Sequence, residues 1–258
     1  MPAWADRDLT SISKHDVLSV LDSLTKRGAV PQARRLFATW CLKRDLLSVS
    51  PVASIEKKDL SRENSRERVL SDAELGKLLA LVRGANEYDP YLVATHLMIL
   101  TGARKEEISG LCWDEINADT IELPASRMKN GLPFDLPITP LMASILETIP
   151  RFEGSPYVFT TNGKSSLRHW DRAKKSIDAK SGVTGWQHRD LRRTMQTGLQ
   201  RLGLPEDVID ACIAHVKQGV KRVYMRHKYA AEKRDALIKW GDACTGFCAG
   251  LSTACERH

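Results

Sequence analysis

The sequence is poor in the residues that staple a chain together or carry it through a membrane. Its 258 residues include only six cysteines. These are too sparse for a disulfide scaffold and are expected as thiols in a reducing compartment. The longest apolar stretch, Tyr91 to Leu100, has ten residues and is interrupted by Thr95 and His96, against the roughly 20 that a bilayer core demands. The opening MPAWADRD lacks the charged start and apolar centre of a secretory signal. A cytoplasmic location and no membrane partner are therefore expected. Internal repeats and low-complexity tracts are absent from the sequence. Cys244, Cys248, Cys255 and His258 cluster at the C-terminus, but structural zinc sites usually join a C-x2–4-C pair to a second tight pair, and this set is read as an incidental tail. Carboxylates at ligand-like spacing are missing too, which disfavours a metal-dependent nuclease. No metal and no cofactor are expected.

What remains is an ordinary folded composition, 42% hydrophobic and 28% charged. At about 150 residues per domain this is one large domain or two modest ones. The 39 Lys and Arg against 32 Asp and Glu leave a net charge of +7, which fits a polyanionic partner without identifying one.

The first fifty residues read as short helices. Ser13 and Asp16 form an N-cap pair ahead of Val17, Val20, Leu21 and Leu24. After Pro31, the residues Ala33, Leu36, Phe37, Trp40 and Cys41 recur on one helical face. Lys26, Arg27, Arg34, Arg35, Lys43 and Arg44 decorate this region, either as solvated surface or as phosphate contacts. Residues 56–67 lie in a polar stretch without periodicity and are expected as a linker between domains 1–55 and 68–258. In the second domain, Ser71 and Glu74 predict a capping box, and helices are expected at about 90–100 and 105–111. The period then changes to two. Thr120-Ile-Glu-Leu and Phe134-Asp-Leu-Pro-Ile alternate around Asn130-Gly131, predicting a small antiparallel sheet. Further helices are expected at about 140–148, 166–180, 189–201, 205–214 and 220–240.

Four short stretches carry residues suited to chemistry. Arg104 and Glu107 follow a Gly break in TGARKEEI, and Lys129 lies near a hairpin tip. Arg192 stands in RDLRRT, where cations at a helix start oppose the helix dipole. His215 precedes Tyr224 by nine residues. Singly, each has a bland reading as an ion pair, a solvated lysine, a structural histidine or a core tyrosine.

In this order they resemble the tyrosine recombinase, or phage integrase, family and its prophage integrase branch. The likeness covers almost the whole chain. It implies a mainly α fold with a small antiparallel β-sheet, an α+β catalytic domain within a two-domain, C-shaped clamp. It also implies site-specific cleavage and rejoining of double-stranded DNA, to integrate or excise a prophage or mobile island. Arg104 and Arg192 would clamp the scissile phosphate through their planar, charged forks. Tyr224 would attack phosphorus to form a 3′-phosphotyrosyl intermediate, preserving the bond energy for rejoining without ATP. His215 would bond the phosphate or assist proton movement, and Lys129 would protonate the leaving 5′ oxygen. Glu107 would orient Arg104. The family usually has histidine three residues before the second arginine. Arg189 fills that slot here, with His188 one position early, so either Arg189 bonds the phosphate or His188 swings in. Tyr229 is a rival nucleophile five residues beyond Tyr224, better suited to packing.

The resemblance further implies a homotetramer on DNA, monomeric when free and nucleoid-associated, with DNA-bending or directionality proteins as accessories. The segment after Tyr224, with Trp240, Phe247 and Leu251, would dock on a neighbour or pack on its own chain. The likeness begins inside the core-binding region, so binding to distant arm sites is expected to be missing and core-site binding to survive. Two other readings share the fold: a DNA-binding protein that has lost turnover, and a type IB topoisomerase.

Overall fold

The computed structural model describes residues 67–85, 87–215 and 229–255, with side chains as far as 248, and isolated positions between 8 and 19. The chain divides into two compact units, Met1–Arg66 and Glu67–His258. In the first, the expected Ser13–Asp16 pair is reciprocal. Asp16 Oδ2 accepts the Ser13 N–H at 2.9 Å, and Ser13 Oγ accepts the Asp16 N–H at 3.3 Å. Lys26, Arg27, Arg34, Arg35, Lys43 and Arg44 lie outside the described residues.

Among its described residues the second unit is mainly helical, with one two-stranded sheet. Helix α1, Asp72–Arg83, begins with the predicted capping box. Ser71 Oγ accepts the Glu74 N–H at 3.2 Å, while Glu74 Oε2 accepts the Ser71 N–H at 2.9 Å. Its apolar stripe buries Leu75, Leu78 and Leu79. Helix α2, Pro90–Thr101, is the centre of the unit. Asp89 caps the Tyr91 N–H at 2.9 Å, Pro90 suits a first turn whose N–H groups have no helical partner, and residues 94–101 are all buried. Gly102 ends the helix in the left-handed conformation at φ 61°.

A short helix α3, Lys105–Ser109, follows. Strands β1, Thr120–Leu123, and β2, Phe134–Pro137, then pair antiparallel with Thr120 opposite Pro137 and Leu123 opposite Phe134. The connection is not the tight two-residue turn that Asn-Gly usually signals. It is ten residues long, includes a single 3-10 turn at Ala125–Arg127, and turns at Asn130, whose Oδ1 accepts the Leu132 N–H at 3.1 Å.

Helices α4 (Pro140–Glu147), α5 (Trp170–Ser181), α6 (His188–Arg201) and α7 (Glu206–Cys212) complete the shell. Helix α5 starts later than its polar sequence suggests. His169 adopts φ 58°, and the preceding carbonyl of Arg168 accepts the Tyr91 hydroxyl at 2.5 Å. Helix α8, Ala230–Cys255, runs well past the expected end at Trp240. Its stripe Ala236, Leu237, Trp240, Cys244 and Cys248 is buried against α1, α2, α6 and α7 of the same chain. Trp240 donates its Nε1–H to the Ile99 carbonyl at 2.8 Å and meets Phe247 edge-on at 6.3 Å. These two residues therefore pack on their own chain, and the side chain of Leu251 lies outside the described residues. Burial pushes the thiols of Cys244 and Cys248 up. No helix is long and apolar enough to cross a membrane among the described residues.

Candidate active site

Three backbone carbonyls organise the candidate residues. The αL turn at Gly102 aims its carbonyl at Arg192, which donates Nη1–H to it at 3.1 Å. The other arm of the same guanidinium donates to the carbonyl of Ile213. Arg192, on α6, thus ties the end of α2 to the turn after α7. The next carbonyl in that turn, on Ala214, accepts from Asn130 Nδ2 at 3.3 Å. That bond anchors the hairpin tip bearing Lys129 against the residue preceding His215. Ala214 itself stands at φ 50°, a left-handed conformation that L residues avoid at some cost.

Arg104 is held from the other side. Glu107 is buried, and its Oε1 accepts from Arg104 Nη1 at 2.5 Å while its Oε2 accepts the Arg104 backbone N–H at 2.8 Å. A carboxylate that fixes both ends of one arginine sets the direction of its fork. Arg127 secures the same helix to the hairpin. It pairs with Glu115 and donates Nη2–H to the Glu107 carbonyl at 2.6 Å. Arg192 feels Arg104 as a like charge. Burial, and after it that neighbour, lower its guanidinium to about 10, so it stays cationic at neutral pH. Two cations held together with little solvent favour an anion between them.

Arg104, Arg189 and Arg192 line a cavity of about 460 Å³ together with Lys105, Lys174 and His188. Arg189 is exposed there. His188 is wedged edge-on between Trp170 and Trp186, at ring separations of 4.8 and 5.5 Å. Burial first, then Lys105 and Lys174, push its imidazole down to about 4, so it is neutral at physiological pH. Two flanking rings oppose a swing of His188, whereas Arg189 already faces the cavity.

Lys129 is exposed beside Asn130. His215 is largely exposed, with Nδ1 3.0 Å from Asp210 Oδ1. Tyr224 lies outside the described residues. Tyr229, at φ 49°, is half-buried and packs against the core. The structure thus gathers Arg104, Arg192, Lys129 and His215 around one set of turns. Sequence reasoning passed over Arg127, Asp210 and the amide of Asn130, whose roles depend on partners 5 to 84 residues away. Only Asn130 left a signal, as the turn residue of Asn-Gly.

Gly102 is closely packed as well. A Cβ there would stand 2.6 Å from Met195 Sδ, besides occupying a backbone conformation that costs an L residue about 1–2 kcal/mol. Gly102→Ala is expected to lower the melting temperature by roughly 2–8 °C, at about 2–4 °C per kcal/mol for a domain of this size. Thermal unfolding followed by circular dichroism checks this.

Comparison with known proteins follows the same lines. Residues 68–231 match the model of the phage integrase family. Prophage integrase IntA of Escherichia coli (strain K12) is 27% identical over 252 residues, which cover 93% of this chain and 61% of that protein. The chain therefore spans about three fifths of that relative's length. Among solved structures, a lambda integrase dimer bound to a COC′ core site superposes with a TM-score of 0.62 at 16% identity, covering 87% of this chain and 67% of that one. A lambda integrase tetramer bound to a Holliday junction gives 0.61 at 14% identity, covering 82% and 66%. At such identities the likeness is one of fold.

Proposed function

The chain belongs to the phage integrase family, and on that premise we propose that it is a site-specific DNA recombinase that breaks and rejoins duplex DNA through a 3′-phosphotyrosyl link. One observation carries the reading. Arg192 bridges the Gly102 and Ile213 carbonyls next to Arg104, and Asn130 ties the Lys129 hairpin to the neighbouring Ala214. The two guanidinium groups thereby line one cavity, and the segments that carry Lys129 and His215 are tied to the same turns.

A phosphodiester is an anion that repels nucleophiles, and its transition state gathers more charge on the non-bridging oxygens. Arg104 and Arg192 would hold those oxygens through preorganised forks. The Tyr224 oxygen attacks phosphorus, the bond to the 5′ oxygen breaks, and Lys129 gives that oxygen its proton. The phenol, with an ordinary pKa of about 10, passes its own proton to His215 as the bond forms. Arg189 would complete the hydrogen bonding of the phosphate. Rejoining is the reverse attack by a 5′ hydroxyl, so the tyrosyl ester conserves the bond energy.

The first unit, with Lys26, Arg27, Arg34, Arg35, Lys43 and Arg44, would grip the core site through phosphate contacts, which position without specifying sequence. Assembly on DNA as a tetramer, accessory bending proteins, nucleoid association, and integration or excision of a prophage or mobile island belong to the same proposal. Lambda integrase in its structures binds DNA as a dimer and as a tetramer.

A nicked suicide duplex, which loses a short strand after cleavage, tests the proposal. The chain should form a covalent protein–DNA adduct that persists in chelator, and Tyr224→Phe should form none. An adduct that survives Tyr224→Phe, or that maps to Tyr229, overturns the assignment. Relaxation of supercoils without site preference would favour the type IB topoisomerase reading.

A further inference from the structure

The turn that carries His215 is organised by a carboxylate that the chemistry above does not use. Asp210 is 7% exposed, in the last turn of α7. It holds His215 twice: its backbone carbonyl accepts the His215 N–H at 2.9 Å, and Oδ1 lies 3.0 Å from Nδ1. The rest of the imidazole is exposed, the His215 side chain being 62% accessible.

Helix stability does not explain a carboxylate at this place. An anion near a helix C-terminus meets the negative end of the dipole, an unfavourable placement by about 0.3–1 kcal/mol. Its contact with the imidazole has a definite chemical consequence. An ionised carboxylate only accepts hydrogen bonds, so a neutral His215 bonded to it must carry its proton on Nδ1. Nε2 is then the acceptor nitrogen, on the exposed side of the ring.

We propose that Asp210 is a positioning residue for His215, fixing the Nδ1–H tautomer and the ring orientation so that Nε2 is presented on the exposed side as a proton acceptor for the reaction. The inference rests on the recombinase reading for its purpose, though the tautomer it assigns is independent of activity. The Ala214 φ of 50° and the Asn130 bond to the Ala214 carbonyl belong to the same device. They bring the backbone round so that the imidazole returns to Asp210 instead of continuing along the helix.

Asp210→Asn is the test, since it preserves size while removing the charge. Nitrogen-15 spectra of the histidine-labelled chain, with the His215 signals assigned through His215→Ala, should show Nδ1 protonated at neutral pH in the parent chain. Asp210→Asn should add the Nε2–H form. On the suicide duplex, Asp210→Asn should slow adduct formation by about 10- to 100-fold, the range found when a carboxylate behind a functional histidine is removed. In a His215→Ala background the same change should cost almost nothing further, because Asp210 acts through that ring. A merely structural aspartate would slow both backgrounds alike. Unchanged tautomer populations, or equal losses in both backgrounds, overturn the inference while the parent chain still forms its adduct. If the parent chain forms no adduct, the recombinase reading falls, and the ring spectra alone decide whether Asp210 sets the tautomer.

Discussion

Arg192→Ala is expected to slow formation of the phosphotyrosyl adduct by about a hundred- to a thousandfold, the usual loss when one preorganised donor to a developing anion is removed. The position makes this more than a guess from charge. Arg192 is cationic although burial and Arg104 both oppose its charge, and it is held by two carbonyls on separate turns. A guanidinium has five N–H donors, so it can keep those two anchors and still present donors to a phosphate. Lysine has three donors on a single rotating centre and lacks the planar fork. Arg192→Lys should therefore recover little of the loss, despite keeping the charge. Single-turnover trapping on the suicide duplex measures both variants, with melting curves to separate loss of fold from loss of chemistry. Adduct formation at the parental rate in folded Arg192→Ala would remove this residue from the proposed clamp.

The same guanidinium shows what was legible in the sequence. Arg104, Arg192 and His215 stand beside punctuation that a single chain displays openly: the Gly102 break, a helix start and a helix end. Ser71 with Glu74 announces its helix because caps are local hydrogen bonds. The alternation of β1 and β2 was equally plain. Contacts that cross the chain leave no such mark. Arg127 reads as one more basic residue until its bonds to Glu115 and the Glu107 carbonyl are seen. Asp210 reads as an ordinary helical acid. Helix α8 outruns its expected end because its buried stripe continues through Cys244 and Cys248, although Gly241 looks like a stop. Helix α5 starts late because Tyr91, far away in sequence, holds the Arg168 carbonyl. In each case a tertiary partner settles what propensity alone leaves open.

Gly198→Ala is expected to destabilise the second unit by about 3 kcal/mol, although alanine is the better helix former by roughly 1 kcal/mol. Gly198 lies mid-helix in α6, where the indole of Trp240 rests directly on the backbone. A Cβ would stand 2.1 Å from Cζ3 and 2.7 Å from Cη2, closer than any rotamer adjustment of a rigid ring can relieve. Nor can the indole withdraw freely. It is 2% exposed, and its Nε1–H is committed to the Ile99 carbonyl at 2.8 Å. Relief requires Trp240 to leave its site, so the cost approaches that of deleting it, about 3–5 kcal/mol for Trp240→Ala. The two changes should be far from additive, because once the indole is gone the Cβ at 198 has room. Urea unfolding of both single variants and the double variant measures this. A Gly198→Ala chain at least as stable as its parent, as an exposed helical glycine would give, refutes the packing argument. The consequence reaches the site as well. Helix α6 carries Arg189 and Arg192, and α8 begins six residues after Tyr224. The Gly198–Trp240 contact is thus a joint between the proposed phosphate clamp and the helix that follows the proposed nucleophile. In conditions where Gly198→Ala remains folded, its adduct formation should fall with the loosening of that joint, and Trp240→Ala should show the same loss.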